Sequence, residues 1–555
     1  MVEEGTGNEP VASDEPSAED LLLQAQELVP VALATARKAK GFPSRWRVII
    51  SRLEQTPSCL SDLSSYPCFS RNSLCREQLQ AVWSTLKEAI ELGNVCIKEK
   101  HEGKLKIQSD LDSLSAKLDL NLKDCGLLIK TGVLGDATLA LSSSVPGPET
   151  SSVRELLARL QIGRSDSKRK ALDQLVEIMK EDEKTVLSVL GRTNVASLVQ
   201  LLMATSPCIR EKAVTVICSL AESGSCENWL VSENALPPLI RLLESGNPVA
   251  KEKSVISLQR MSISSETARS IVGHGGVGPL VEICKMGDSV SQAAAACTLK
   301  NISAVPEVRQ TLAEEGIIKV MVDILNCGIL LGSKEYAAEC LQNLTSSNES
   351  LRRAVISENG VQALLAYLDG PLPQESAVAT IRNLAGSVSA ETMSKIIPHL
   401  VHVLKSGSVG AQQAAASTIC RLATSTETKK LMGESGCIPF LVRMLEAKSS
   451  GAREVAAQAV AGLVTVPQNC REVKRDEKSV SSLVQLLEAS PSNTAKKYAV
   501  SSLAALSASR KCKKLMVSYG AVGYLKKLSE MEVPGAKKLL ERLEKGKLRS
   551  FFSRK

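Results

Sequence analysis

The stretch GIIKVMVDILNCGILLGSKEYAAECLQNL, residues 316–344, carries the pattern that decides the fold. After Gly316, apolar residues recur at the three- and four-residue spacing of an amphipathic helix as far as Leu325. After a loop at 328–333, a second apolar stripe runs from Ala337 to Leu344. Neither helix can bury its stripe alone, and the same pattern recurs at intervals of about 42 residues. This periodicity predicts a stacked helical solenoid, in which each repeat covers the apolar face of its neighbour.

A turn residue in front of the second helix of each period marks the register. Glycine or asparagine, which both tolerate a left-handed backbone, occupies most of these positions, and lysine replaces them elsewhere. The positions are Gly276, Gly316, Gly360, Gly436 and Gly520, with Asn194, Asn234, Lys395 and Lys478 as replacements. Proline often follows three residues later, as at Pro279 and Pro398, where the first turn of a helix accepts it.

Each period contains three helical segments. The segment before the marker is short, the one after it is apolar, and the third carries a pair of small residues such as Ala295 and Ala296. Small residues let neighbouring helices approach closely. This arrangement resembles the armadillo repeat, over residues 151–545 and about ten repeats, the first incomplete. The resemblance implies an all-α, right-handed superhelical solenoid whose third helices line a concave groove.

The region before the repeats predicts a helical bundle. Ser17 and Asp20 make a capping-box-like helix start, and residues 75–100 and 103–125 are clear helices. The stretches VWSTLKEAIELGNVCIKEKHEGKLKI and SDLDSLSAKLDLNL resemble the N-terminal helical domain of plant U-box armadillo proteins. In that family a U-box, which recruits the ubiquitin-conjugating enzyme, separates bundle and repeats. Here only a short linker lies between them, so the resemblance does not extend to ligase activity.

The predicted organisation has five parts. Residues 57–70, rich in serine and proline, are expected to form a loop within the bundle. The parts are a disordered N-terminus at 1–17, the bundle at 18–140, a linker at 141–152, the repeats at 153–545 and a basic tail at 546–555.

Composition narrows the class of protein. Aromatic residues make up only 3%, which suits layers of Leu, Val and Ala better than a round core. The 16 cysteines contain no CxxC pair, which favours buried reduced thiols over disulfides or zinc ligands. The net charge of +8 is a mild bias over 555 residues and does not indicate a specific nucleic-acid partner.

The N-terminal residues and the hydropathy give expectations for localisation. The acidic, polar start MVEEGTGNEP is unlike a secretory signal, and Val2 excludes myristoylation at that position. No run of eighteen apolar residues occurs. A cytoplasmic location, a nuclear location or both are expected.

No pattern in the sequence predicts catalysis. The phosphate-binding GxxxxGK[ST], the GxSxG elbow and the HExxH zinc motif are all absent. His399 and His402 lie three residues apart on one predicted helix, but no third ligand stands at a suitable spacing. We therefore expect no catalytic residue, no metal site, no cofactor, no small-molecule substrate and no enzyme activity.

The armadillo resemblance implies a partner-binding groove, with one polar side chain in each repeat at the position that Asn343 holds in the motif LQNL. These residues are Ser219, Arg260, Asn301, Asn343, Asn383 and Arg421. An amide offers a donor and an acceptor, which suits the main chain of an extended peptide. The alternative is that the asparagines only satisfy the backbone of the neighbouring repeat.

Two details of this groove indicate the kind of partner. Importin-alpha places a tryptophan one turn before each groove asparagine, whereas Cys297, Glu339 and Ala379 occupy those positions here. Arg260 and Arg421 would repel a basic signal and favour an extended acidic or phosphorylated segment.

The sequence therefore predicts a non-catalytic protein-interaction scaffold. Two other hypotheses remain. One is a substrate-recruiting partner of a separate ubiquitin ligase. The other is a membrane-peripheral adaptor that uses the basic tail KGKLRSFFSRK on an anionic surface.

Overall fold

All regular elements that the structure describes are α-helices or short helical turns. This computed structural model describes residues 16–66, 69–70, 72–97, 103–134, 148–163, 165–371, 374–490 and 492–552, without the side chains of 148–151 and 545–552. It is 79% helical and has no strand in the described ranges, which confirms the predicted all-α class. The chain forms two compact units, Met1–Lys253 and Ser254–Lys555. The predicted disorder of residues 1–15 lies outside the described residues.

The first unit contains the N-terminal bundle and the first repeats. Its helices are α1 (Ala18–Lys38), α2 (Pro43–Leu53), α3 (Thr56–Ser64), α4 (Ser73–Ile97), α5 (Lys104–Lys130), α6 (Pro148–Gln161), α7 (Ser165–Glu181), α8 (Glu183–Val189), α9 (Arg192–Leu201), α10 (Pro207–Glu222), α11 (Glu227–Ser232), α12 (Leu236–Ser245) and the start of α13 (Pro248–Met261).

The bundle α1–α5 buries one apolar core. Helix α1 begins with the expected capping box, in which the Asp20 N–H donates to Ser17 Oγ at 3.1 Å. Trp46 on α2 is the largest fully buried side chain among the described residues and lies in the same core as Leu21 of α1 and Leu111 of α5. On the surface, Arg45 of α2 forms an ion pair with an α5 carboxylate, Asp112, at 2.8 Å.

Two predictions for this region were wrong. Residues 56–64 form α3 instead of a loop, because Pro57 lies in its first turn, where no N–H is needed, and Leu60 and Leu63 are buried in the bundle core. Helix α6 begins at Pro148, inside the expected linker, and residues 135–147 lie outside the described part of the chain. A proline in the first turn starts both helices, whereas the sequence pattern treated it as a breaker.

Arg159 on α6 connects the bundle to the first repeat within the first unit. Its guanidinium lies 3.0 Å from carboxylate oxygens of Glu77 on α4 and Glu155 on α6, and it donates to Ser73 Oγ at 2.9 Å. These charge-assisted hydrogen bonds fix the position of α6 against α4.

The second unit is built from helices in groups of three. The helices after α13 are α14 (Ser265–Gly273), α15 (Val277–Met286), α16 (Ser289–Ser303), α17 (Arg309–Glu314), α18 (Ile317–Cys327), α19 (Leu331–Thr345), α20 (Glu349–Ser357), α21 (Gly360–Leu368), α22 (Glu375–Leu384), α23 (Ala390–Ser406), α24 (Val409–Leu422), α25 (Thr426–Glu434), α26 (Ile438–Met444), α27 (Ser450–Leu463), α28 (Pro467–Arg475), α29 (Ser479–Gln485), α30 (Lys496–Leu506), α31 (Arg510–Ser518), α32 (Ala521–Glu530) and α33 (Ala536–Phe552).

The turn before the second helix is left-handed in most repeats, as predicted, but its position shifts in two of them. Gly316 has φ of 79°, and Asn234, Gly436 and Gly520 are also left-handed. In two other repeats the left-handed residues are Gly275 and Asn359, each one position earlier than expected. Asn194 is not left-handed and lies inside α9. The turn must end the preceding short helix, and the sequence did not show where that helix stops.

The repeat without a turn glycine has one long helix in place of two. Helix α23 runs unbroken from Ala390 to Ser406 through Lys395, with Pro398 inside it. No residue of this segment adopts the left-handed backbone that would separate the two helices. The missing glycine therefore changes the architecture of this repeat.

Every described cysteine is a free thiol. Most are buried, and burial raises the pKa of the Cys340 thiol to about 12. Among the described residues, no helix has both the length and the apolar character needed to span a bilayer.

Candidate functional site

The third helices of the second unit pack side by side in chain order. Helix α16 contacts α19, α19 contacts α22, α22 contacts α24 and α24 contacts α27. We call these helices the third-helix layer. Asn301, Asn343, Asn383 and Arg421 occupy the same register near the ends of α16, α19, α22 and α24. Arg260 takes this register in α13, and stacking the repeats brings the five residues into one row.

The three asparagines connect successive repeats through their amide nitrogens. Each Nδ2 donates to a hydroxyl at the end of the preceding third helix. The bonds are Asn301 to Ser262 at 2.9 Å, Asn343 to Ser303 at 3.0 Å and Asn383 to Thr345 at 3.2 Å. Two of them also reach a backbone carbonyl: Asn343 that of Lys300 at 3.4 Å and Asn383 that of Gln342 at 3.3 Å.

The accepting hydroxyls fix the orientation of each amide. Each is buried and has already donated its proton within its own helix: Ser262 to Gln259 O, Ser303 to Lys300 O and Thr345 to Leu341 O. A hydroxyl that has given its one proton can only accept. The asparagine must therefore turn its nitrogen toward the hydroxyl, and its Oδ1 takes the opposite side of the amide.

These hydroxyls were missed from the sequence, although a signal for them exists. A serine or threonine stands two residues after the row position at Ser262, Ser303 and Thr345, each one repeat before an asparagine of the row. At the end of the row, Ala385 and Ala423 take this position, and the next row residues are Arg421 and Gly462. Asparagine thus occurs in the row where the preceding repeat supplies a buried hydroxyl.

The two roles weighed for the asparagines involve different atoms. Nδ2 makes the contact with the preceding repeat, including backbone carbonyls for Asn343 and Asn383. Oδ1 accepts from none of the described residues, and all three side chains are half-buried. An acceptor therefore remains at each position for a group from outside the chain.

The contact between repeats should be measurable as a coupling energy. In a double-mutant cycle, Asn343→Ala and Ser303→Ala are expected to couple by about 0.5–1.5 kcal/mol, because the two side chains share one hydrogen bond. Urea unfolding followed by circular dichroism gives the four free energies of unfolding. The control cycle pairs Asn343→Ala with Ser262→Ala, which share no bond and should add to within about 0.5 kcal/mol. Additive effects in the first cycle would contradict the assigned bond.

Charged side chains accompany the row. Arg260 and Arg421, which hold the row position in α13 and α24, are exposed. Lys300, next to Asn301 on α16, lies 3.6 Å from the carboxylate of Glu339 on α19 and 5.6 Å from the centre of the Tyr336 ring. The charge of Lys300 is therefore paired within the chain.

Ser219 and the histidine pair differ from the asparagine row. Ser219 belongs to α10 of the first unit, and its hydroxyl donates to Thr215 O of the same helix at 3.3 Å. His399 Nδ1 lies 2.8 Å from Asp369 Oδ1, whereas His402 Nε2 lies 3.3 Å from Ser406 Oγ. The two rings thus have different partners, and the described residues contain no group of three metal-binding side chains.

Comparisons with known proteins concern both parts of the chain. A family model described as a domain of unknown function (DUF7032) matches residues 23–133, which span α1 to α5. The crystal structure of an engineered protein from a structural genomics consortium is similar at 25% identity and a TM-score of 0.61, and covers 71% of this chain and 98% of its own. A designed armadillo repeat protein matches at 20% identity and a TM-score of 0.38, over 41% of this chain and 98% of its own. No curated protein matches the chain.

The match to the engineered protein, at a TM-score of 0.61, agrees with the helical groups of three and with the predicted all-α repeat solenoid. The chain is thus similar in fold to this engineered protein, and its N-terminal bundle matches a domain of unknown function.

Proposed function

We propose that the chain is a non-catalytic protein-interaction scaffold whose third-helix layer binds an extended partner segment. One observation carries this proposal: three amides in successive repeats are held by their nitrogens, and their oxygens accept from no described residue. Armadillo-like folds generally bind protein partners, which supports the same general role.

The row suits recognition of a main chain. An extended peptide presents backbone N–H groups at regular intervals, and an amide oxygen is a good acceptor for them. Because the buried hydroxyls already hold the amides in one orientation, little side-chain freedom is lost on binding. Such hydrogen bonds recognise the backbone of the partner and do not depend on its side chains.

The charges support an acidic or phosphorylated segment. Arg260 and Arg421 lie at the two ends of the row, and a guanidinium forms strong paired hydrogen bonds with carboxylate or phosphate. Lys300, beside Asn301, is compensated by Glu339. We therefore propose backbone recognition along the asparagines and recognition of acidic groups at the exposed Arg421.

The test is a quantitative pull-down with three baits. The first is the wild-type chain, and the second carries Asn301→Ala, Asn343→Ala and Asn383→Ala. The third is an amide-matched control with Gln310→Ala, Asn326→Ala and Gln362→Ala, which are exposed positions on α17, α18 and α21 outside the layer. We expect partners of the wild type to be lost from the row variant by tenfold or more and retained by the control, since each lost hydrogen bond contributes about 0.5–1.5 kcal/mol.

Two further measurements separate binding from folding. Circular dichroism must show that the row variant remains folded, because the same asparagines connect the repeats. Hydrogen exchange on the complex should show protection in α16, α19 and α22. If the row variant is folded and keeps the same partners, the row is purely structural and the proposal fails.

A further inference from the structure

We propose that a cavity in the first unit binds a small organic anion, namely a phosphate monoester or carboxylate with an apolar body. The cavity has a volume of about 240 Å³ and lies between α5, α6, α8 and α9. It is separate from the third-helix layer, and the proposal does not depend on partner binding there.

Two cationic side chains line the cavity. Lys130, at the end of α5, and Arg154 on α6 are both exposed and line the cavity, and neither forms an ion pair with a described residue. No acidic residue lines the cavity in the described part of the chain. Two other arginines of this unit, by contrast, are paired with carboxylates, Arg45 with Asp112 and Arg159 with Glu77. The two cations at the cavity therefore attract an anion.

Neutral polar groups add donors to the same wall. Gln161 Nε2 donates to Asn194 Oδ1 at 2.9 Å, which leaves the Asn194 amide nitrogen as a donor toward a ligand. Helix α9 starts at Arg192, and its N-cap residue, Gly191, has no side chain that could accept from the first N–H groups. Thr193, in the first turn of this helix, lines the cavity. The uncapped N–H groups of a helix start favour negative charge.

Four apolar residues complete the lining of the cavity together with Thr131: Leu127, Leu157, Ala158 and Val189. An inorganic ion would leave this surface exposed to water, whereas a ring or alkyl chain attached to the anionic group would cover it. The balance of cationic and apolar walls selects an amphipathic small molecule over a bare ion.

The full-length chain should be titrated calorimetrically with phenyl phosphate at constant ionic strength. Inorganic phosphate supplies the charge without the ring, and phenol supplies the ring without the charge. We expect saturable binding of phenyl phosphate and at least tenfold weaker binding of the other two. An amidated phosphotyrosine peptide tests whether the anionic group could instead belong to a phosphorylated protein segment. This peptide should bind at least tenfold more weakly than phenyl phosphate if the cavity accepts a free small anion.

Four variants test the assignment. Lys130→Gln and Arg154→Gln should each weaken phenyl phosphate binding about tenfold, since each removes one charge-assisted contact. Val189→Phe should occupy part of the cavity with its ring and weaken phenyl phosphate binding by a similar factor. Lys170→Gln, an exposed lysine on α7 that does not line the cavity, should leave binding unchanged.

Three results would overturn the proposal. The first is the absence of saturable phenyl phosphate binding to the wild-type chain. The second is unchanged binding in both charge variants. The third is equal binding of inorganic phosphate, which would mean that the apolar wall contributes nothing.

Discussion

Replacing Trp46 by alanine is expected to lower the free energy of unfolding of the first unit by about 3–5 kcal/mol. The indole of Trp46 is 2% exposed and lies in the bundle core with Ile49 and Leu53 of the same helix. Alanine would remove a large apolar surface and leave a cavity that the surrounding helices fill only in part. Urea unfolding monitored by circular dichroism measures the change.

Trp83 provides a matched control in the same bundle. Its side chain is half-buried, with Lys87 Nζ 3.6 Å from the centre of its ring. Because the ring lies at the surface, Trp83→Ala should cost about 1 kcal/mol or less. A similar loss in both variants would contradict the assignment of Trp46 as a buried core side chain of the bundle.

Replacing Gly360 by alanine is expected to destabilise the second unit by about 1–3 kcal/mol, the usual cost of overpacking. A Cβ atom at this position would lie 2.5 Å from Val355 Cγ1 and 2.7 Å from the Val355 carbonyl oxygen. The side chain of Val355 could rotate, but its carbonyl belongs to the end of α20 and cannot move without opening the turn at Asn359.

Replacing Gly462 by alanine should instead stabilise the second unit. Gly462 lies in the last turn of α27, where the backbone is still helical, and no heavy atom lies within 4 Å of the position that its Cβ would take. Alanine is favoured over glycine in a helix interior by about 0.5–1 kcal/mol, so Gly462→Ala should stabilise the unit. Thermal unfolding shows whether each variant is more or less stable than the wild type. A stabilised Gly360→Ala variant would refute the assigned clash.

Under the proposed function, each asparagine of the row serves both stability and recognition. The amide nitrogen bonds to the preceding repeat, and the amide oxygen accepts from no described residue. Loss of an asparagine should therefore loosen the contact between repeats as well as the partner complex. For this reason the binding test needs the amide-matched control and a direct measurement of folding.

The sequence by itself determined the repeat and its helical class. The apolar spacing from Gly316 to Leu344 required two amphipathic helices, and α18 and α19 occupy this stretch. The armadillo resemblance singled out Asn301, Asn343 and Asn383 as equivalent positions in successive repeats. These features are local, because the spacing of apolar side chains along one helix decides which face needs cover.

Only the tertiary structure decided the helix boundaries and the direction of each amide. Pro57 starts a helix because Leu60 and Leu63 are buried against the bundle, which the residues 57–70 alone could not show. The orientation of the asparagines depends on hydroxyls 39, 40 and 38 residues away that have already donated their protons. The cavity between α5, α6, α8 and α9 likewise combines residues from 127 to 194. Contacts between distant residues arise only when helices pack, and hydrogen-bond donors and charges are then paired or left unpaired by that packing.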